Sequence, residues 1–121
     1  MTQPCVLVAE DELIVGVDLC NTVEEAGFKV EGPFVSLQSA RASIAQHKPD
    51  LAILDVRLQD GESYALAEDL IAADVPVIFH SGQVSPAEVS ARYPQAIACS
   101  KPCPPNRIIS IMHEVLQHAP A

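Results

Sequence analysis

Five short apolar runs alternate along the chain with five segments of helical periodicity. Four of the runs are almost continuously apolar, which is typical of strands that are covered on both faces. The second run is interrupted by Gly32 and Pro33, and because proline cannot donate to a strand ladder, we expect this strand at a sheet edge. The runs cover residues 5–9, 30–35, 51–54, 77–79 and 96–99.

The segments between the runs predict amphipathic helices. In the first segment Leu13, Val17, Cys20 and Val23 recur at helical spacing, so we expect this stripe to face the core, with Gly27 ending the helix. The other helices are predicted over residues 37–46, over residues 63–72, from Ser85 and Pro86 as N-cap and first-turn proline, and from Pro105 with a stripe of Ile108, Met112 and Val115.

Strict alternation of strands and helices with short connections predicts an α/β domain. Its sheet would be parallel and five-stranded, with helices on both faces. Ligands of such sheets bind at the carboxyl ends of the strands, near the point where the strand order reverses. A functional site is therefore expected among the residues that directly follow the strands.

Composition is consistent with one folded domain and argues against several functions. The chain has 121 residues, 49% of them hydrophobic, which is enough for one core and too little for two. A formal net charge of −9 opposes direct binding to nucleic acid or to an anionic membrane surface. Because the chain shows neither a membrane-spanning run nor a signal peptide, we expect a cytoplasmic protein without membrane insertion.

The four cysteines show no metal-binding pattern along the sequence. There is no CxxC pair, and no histidine lies at zinc-ligand spacing from them. We interpret Cys5, Cys20 and Cys99 as small buried hydrophobic residues. Cys103 lies in a proline-rich turn beside Lys101, where a reactive thiol is the weaker alternative.

Polar and charged residues follow four of the five predicted strands. They are Glu10 and Asp11 after the first, Asp55 after the third, Ser81 after the fourth and Lys101 after the fifth, and Gly82 and Pro102 directly follow the last two. An acid at one strand end carries little weight, because strand ends are solvated. Acid, hydroxyl and lysine at separate ends of one rim together indicate a site.

The chemistry of such a site follows from its charges. Glu10, Asp11 and Asp55 would repel one another at short range and would recruit protons or a cation. Ligands that are all oxygen favour a hard ion such as Mg²⁺. Lys101 and the Ser81 hydroxyl could bind the oxygens of a phosphoryl group. Asp55 would then be the nucleophile that forms an acyl phosphate.

These motifs, in this order on a (βα)₅ pattern, resemble the receiver domain of two-component response regulators, including the chemotaxis regulator. The resemblance implies a flavodoxin-like doubly wound fold with strand order 2-1-3-4-5. It covers about residues 5–116, and we expect residues 1–121 to form a single receiver domain without an output domain. It also implies a phospho-acceptor of a phosphorelay, not an enzyme, with at most slow self-dephosphorylation.

The resemblance assigns roles to the site residues. It implies phosphorylation of Asp55, and binding of Mg²⁺, or Mn²⁺ in its place, by Asp11, Asp55 and the backbone carbonyl of Arg57. Glu10, where the family commonly has aspartate, would act through a bound water. Ser81 would be the switch hydroxyl and Lys101 the phosphate-binding lysine. Gly82 would leave room for the phosphoryl group, and the peptide bond before Pro102 is expected to be cis.

The resemblance also implies partners. Ile14 and Val15 match the surface that contacts a sensor histidine kinase or a histidine phosphotransfer protein, and partial burial under a neighbouring loop is the alternative. A downstream protein target is expected at the loop after the fourth strand, the fourth helix and the fifth strand. A homodimer through the fourth helix, fifth strand and fifth helix is also open.

Three positions depart from, or vary within, the family pattern. The family usually has a tyrosine or phenylalanine where this chain has Ala98, and Tyr93 is expected to be a poor substitute. Arg57 and Gln83 occupy positions that tune self-dephosphorylation in the family. They are equally well explained as solvated loop side chains.

Other classes of function remain as alternatives. A receiver-like interaction module that is not phosphorylated would share the fold. A phosphatase of the haloacid-dehalogenase type would need a second aspartate where Arg57 stands. A flavodoxin would need a phosphate loop after the first strand, where this chain has carboxylates.

Overall fold

The computed structural model describes residues 3–82, 85–101 and 103–117. The strands are β1 (Cys5–Ala9), β2 (Lys29–Phe34), β3 (Leu51–Leu54), β4 (Arg57–Leu58), β5 (Gly61–Glu62), β6 (Val77–Ser81) and β7 (Ile97–Ser100). The helices are α1 (Leu13–Glu25), α2 (Leu37–Gln46), α3 (Tyr64–Ala72), α4 (Pro86–Arg92) and α5 (Pro105–Gln117). No helix in these described ranges is long and apolar enough to cross a membrane.

The main sheet is parallel and has the order β2-β1-β3-β6-β7. Counting its five strands alone, this is the predicted order 2-1-3-4-5. The strand that contains Pro33 lies at the sheet edge, as predicted. The antiparallel pair β4–β5 was not predicted, because strands of two residues are too short to show a period.

The two faces of the sheet bury different side chains because alternate residues of a strand point in opposite directions. On one face Leu7 of β1 belongs to a cluster with Leu66 and Leu70 of α3. On the other face Val6 belongs to a cluster with residues of α1 and α5, among them Met112. Helices therefore cover both faces, and the doubly wound α/β prediction is confirmed.

The stripe predicted for α1 is wrong at its start. The helix buries Gly16, Leu19, Cys20 and Val23, whereas Leu13 and Val17 are 58% and 44% exposed. Gly16 approaches β2 so closely that an added Cβ would lie 2.7 Å from the Cβ of Pro33. At its start α1 therefore packs against the sheet at Gly16, and the side chains of Leu13 and Val17 point away from this contact. Gly27, with a φ of +97°, follows the helix as predicted.

The cysteines divide into two pairs. Cys5 and Cys20 are free and buried, in agreement with the prediction. Cys99 is buried as predicted, but it is not a free thiol, because it forms a disulfide with Cys103 that joins β7 to the segment before α5. The chain turns back after β7 so that their Cα atoms lie 6.0 Å apart, and a separation of four residues gave no recognisable signal.

Candidate functional site

The predicted polar residues meet at one rim of the sheet. Glu10 directly follows β1, Asp55 directly follows β3, and Lys101 directly follows β7, while Ser81 is the last residue of β6. Parallel strands bring their carboxyl ends to the same edge, so residues far apart in sequence become neighbours. Backbone bonds fix two of them, because the amide of Asp55 donates to the Ala9 carbonyl and the amide of Glu10 donates to the Phe34 carbonyl, each at 2.8 Å.

Three carboxylates form the centre of the site. Each of Glu10, Asp11 and Asp55 has an oxygen within 4.8 Å of an oxygen of the other two. Glu10 and Asp55 are buried, at 1% and 6% exposure, and Asp11 is half-buried. Negative charges that lie this close together and are shielded from water require a counter-charge.

Lys101 supplies that counter-charge. Its Nζ lies 2.6 Å from Oε1 of Glu10 and donates to Oδ2 of Asp55 at 3.1 Å. Burial alone would lower the pKa of the lysine, but the bonds to these two carboxylates raise it above its usual value. The ammonium group therefore stays charged between them.

The two buried carboxyl groups differ in protonation. Burial raises the pKa of Glu10 to about 7, against the opposing effect of Lys101. Burial would also raise the pKa of Asp55, but hydrogen bonds from Glu10 and Lys101 lower it below its usual value. A proton taken up by this pair thus resides on Glu10, and Asp55 remains an anion that can act as a nucleophile.

Comparison with known proteins identifies the family. The chain matches the response regulator receiver domain over residues 6–113. It belongs to this family. Receiver domains are signalling phospho-acceptors that typically bind Mg²⁺ at an acidic pocket, and this chain has a cluster of three carboxylates at the rim of its sheet.

One curated relative is the transcriptional regulatory protein PdtaR of Mycobacterium tuberculosis. The two are 32% identical over 73 residues, which is 60% of this chain and 36% of PdtaR. The chain thus spans about a third of the length of this relative.

Solved structures share the fold over nearly the whole receiver domain. The PhyR receiver domain of Erythrobacter litoralis has a TM-score of 0.87 and 26% identity, over 100% of this chain and 95% of that one. A receiver domain of the CheY type from Methanospirillum hungatei has a TM-score of 0.84 and 22% identity, over 96% and 95%. The HemR receiver domain of Leptospira biflexa has a TM-score of 0.84 and 23% identity, over 98% of each chain.

The other predicted site residues lie at the strand ends of this rim or within three residues of them along the chain. Ser81 is buried, and its carbonyl accepts the amide of Lys101 at 3.1 Å, which ties the ends of β6 and β7 together. Gly82 is exposed, and an added Cβ would meet Lys101 at an ordinary distance of 3.7 Å. Arg57 is exposed in β4. Pro102, the predicted cis-proline, and Gln83 lie outside the described residues.

The sequence reasoning missed Ser63. This serine is fully buried, and its hydroxyl donates to the backbone carbonyl of Asp55 at 2.6 Å. It stands at the N-cap of α3 but makes no side-chain cap bond there. Its hydroxyl thus fixes the loop that carries Asp55. A serine at a helix start normally indicates a cap, so the sequence held no sign of this second use.

His80 was also missed. It is buried at 7% exposure directly before Ser81, and its Nδ1 lies 3.9 Å from Oε1 of Glu10. Burial and the neighbouring Lys101 lower its pKa. A neutral imidazole therefore lines the pocket from the β6 side.

The region of Ala98 contains other rings. Ala98 pairs with Phe79 across β7 and β6, and it packs against the cluster that includes Tyr64 and Tyr93. The rings of Tyr64 and Tyr93 are stacked at 5.6 Å, and the Tyr93 hydroxyl donates to Glu68 at 2.6 Å. Tyr93 thus contributes a ring to this region from the end of α4, although it does not occupy the family's aromatic position.

The predicted docking residues lie at the start of α1. Ile14 is 86% exposed and Val15 is half-buried. With Leu13 and Val17, Ile14 forms an apolar patch next to the acidic rim. An exposed apolar patch of this kind is typical of a protein contact surface.

Proposed function

We propose that this receiver domain is a phospho-acceptor switch in which Asp55 takes a phosphoryl group with the help of Mg²⁺, or of Mn²⁺ in its place. One observation carries the proposal. Asp55 is buried and anionic, beside two further carboxylates and within 3.1 Å of the Lys101 ammonium group. The receiver domain that performs this function is proposed to span about residues 5–116.

The roles of the residues follow from their positions. A carboxylate oxygen of Asp55 attacks phosphorus, and the bond between phosphorus and the donor nitrogen breaks. Asp11, Asp55 and the Arg57 carbonyl are proposed to hold the cation, with Glu10 acting through water. Bound there, the cation would neutralise charge on the phosphoryl oxygens. Lys101 then moves its bond from the carboxylates to a phosphoryl oxygen.

The buried ends of β6 and β7 would carry the signal. The Ser81 hydroxyl is proposed to bind the phosphoryl group, with Gly82 giving it room. Because the Lys101 amide already donates to the Ser81 carbonyl, a displacement of one strand end would move the other. The changed surface would include the loop after β6, helix α4 and strand β7, where a downstream protein binds.

The site favours a switch over a turnover enzyme. A phosphatase with an aspartate nucleophile needs a general acid two residues later, and this position is Arg57. The acyl phosphate would therefore persist, apart from slow self-dephosphorylation.

The proposed partners bind at exposed surfaces of the domain. A sensor histidine kinase or a histidine phosphotransfer protein would dock on the apolar start of α1, at Ile14 and Val15. Two copies could pair through α4, β7 and α5.

Intact-mass measurement after incubation with acetyl phosphate tests the proposal. With Mg²⁺ we expect the mass of one added phosphoryl group, and with EDTA or in Asp55→Asn we expect none. A chain that gains no mass in the presence of Mg²⁺ would instead be a receiver-like interaction module.

A further inference from the structure

A second cluster of ligand side chains lies away from the acidic rim. Cys5 is the first residue of β1, Glu31 lies in the edge strand β2, and His47 follows the last turn of α2. The cysteine sulfur, a carboxylate oxygen and an imidazole nitrogen all lie within 4.8 Å of one another. Three separate elements thus direct three different donor types to one point.

We infer that Cys5, Glu31 and His47 form a binding site for a divalent transition-metal ion of the zinc class. Thiolate, imidazole and carboxylate are the ligands that zinc takes in proteins. A thiolate is a poor ligand for the hard ions that suit the three carboxylates at the rim. The two sites therefore differ in the metal that they prefer.

Hydrogen bonds already orient these side chains. The Ser43 hydroxyl donates to Oε2 of Glu31 at 2.7 Å, and Oε1 of the same carboxylate lies 3.3 Å from Nδ1 of His47. The Cys5 amide donates to Oδ2 of Asp50 at 2.8 Å, which fixes the backbone at the sulfur ligand. Such outer hydrogen bonds are what hold metal ligands in place.

The site is closed on one side and open on the other. Cys5 is buried, whereas the side chains of Glu31 and His47 are 23% and 57% exposed. An ion could therefore enter from solvent past the imidazole, and water would complete its coordination.

A metal ion at the cluster must displace the proton of the Cys5 thiol. Burial and the nearby Glu31 carboxylate raise the pKa of the Cys5 thiol to about 11, so the metal-free protein keeps the thiol protonated. A bound dication would compensate the charge of the Glu31 carboxylate and that of the thiolate that forms. The sulfur then exchanges its bond to hydrogen for a bond to the metal, and the proton leaves to the buffer.

The chain provides a matched control. Cys20 is also free and buried, and burial also raises its pKa to about 11. Within the described residues Cys20 belongs to no cluster of metal-ligand side chains. Because Cys99 and Cys103 are joined in a disulfide, a metal–thiolate signal from the oxidised protein must come from Cys5 or Cys20.

Titration with Co²⁺ tests the inference, with Mg²⁺ in excess to occupy the acidic rim. We expect one equivalent to produce the sulfur-to-cobalt charge-transfer band in the wild-type chain and in Cys20→Ser, and Zn²⁺ to abolish it. The band should be absent from Cys5→Ser. His47→Ala, at a largely exposed position that should not affect folding, should weaken binding about tenfold or more, and Ser43→Ala about tenfold.

Two results would overturn the inference. One is a wild-type chain that shows no charge-transfer band at saturating Co²⁺. The other is a charge-transfer band that survives in Cys5→Ser, or a Co²⁺ affinity that is unchanged in His47→Ala. Either outcome would place the ion elsewhere. Neither result bears on phosphorylation of Asp55, which is measured separately.

Discussion

Replacing Lys101 with methionine tests the electrostatics of the Asp55 site. The substitution keeps the apolar stem but removes the charge that lies 2.6 Å from Glu10 and 3.1 Å from Asp55. Removing one partner of a buried ion pair costs about 3–5 kcal/mol, because the remaining charge is left unpaired. Since the Lys101 side chain is 20% exposed and Glu10 can take up a proton, we expect the lower end, about 3 kcal/mol.

The cost of this substitution should depend on pH. In the wild-type chain the pKa of Glu10 is raised from its ordinary value of 4.5 to about 7. Stability from this proton is therefore fully present below 4.5 and is lost as pH rises through 7. Lys101 lowers the pKa of Glu10, so without it the loss continues to higher pH. Lys101→Met should thus be more destabilising in alkaline than in acidic buffer.

Urea unfolding in EDTA, followed by circular dichroism on both sides of neutral pH, measures the effect. Lys48→Met is the matched control, because Lys48 is exposed and should change stability by no more than about 0.5 kcal/mol. Added Mg²⁺ should return part of the stability lost in Lys101→Met, since the dication replaces the missing charge. If Lys101→Met unfolds at the wild-type urea concentration at both pH values, the ion pairs do not stabilise the site.

Three further substitutions test separate contacts. Gly16→Ala places a Cβ 2.7 Å from that of Pro33. Thermal unfolding should show a net loss of about 1 kcal/mol in the free energy of unfolding, because the steric cost exceeds the gain in helix propensity. Ile14→Ser, at a side chain 86% exposed, should slow phosphotransfer from the cognate histidine kinase but not phosphorylation by acetyl phosphate. Cys103→Ser opens the short ring closed with Cys99 and should cost about 2 kcal/mol under non-reducing conditions only.

Each of these expectations has a contradicting outcome. Unchanged stability of Gly16→Ala would show that Pro33 yields without cost. Equal slowing with both phosphodonors would mean that Ile14 supports the site and not the docking surface. A loss in Cys103→Ser that persists under reducing conditions would assign the effect to packing.

Much of the fold and of the rim could be predicted because the signals are local. Apolar runs such as residues 51–54 identify buried parallel strands, and Asp55 directly follows one of them. Once the strands are parallel, topology alone brings Asp55 close to Glu10 and Lys101, although dozens of residues separate them.

The remainder depends on contacts between distant segments, which periodicity does not report. The exposure of Leu13 follows from the close approach of Gly16 to Pro33. The bond from Ser63 to the Asp55 carbonyl depends on the path of the loop between them. The meeting of Cys5 with His47 likewise needs the packing of α2 on the sheet edge.

Mapping the phosphorylated residue tests the central claim most directly. The chain would be phosphorylated with acetyl phosphate and Mg²⁺, the acyl phosphate trapped chemically, and the peptides sequenced by mass spectrometry. We predict that the modification falls on Asp55. Trapping it on Glu10 or Asp11 while Asp55 stays unmodified would contradict the assignment of Asp55 as nucleophile.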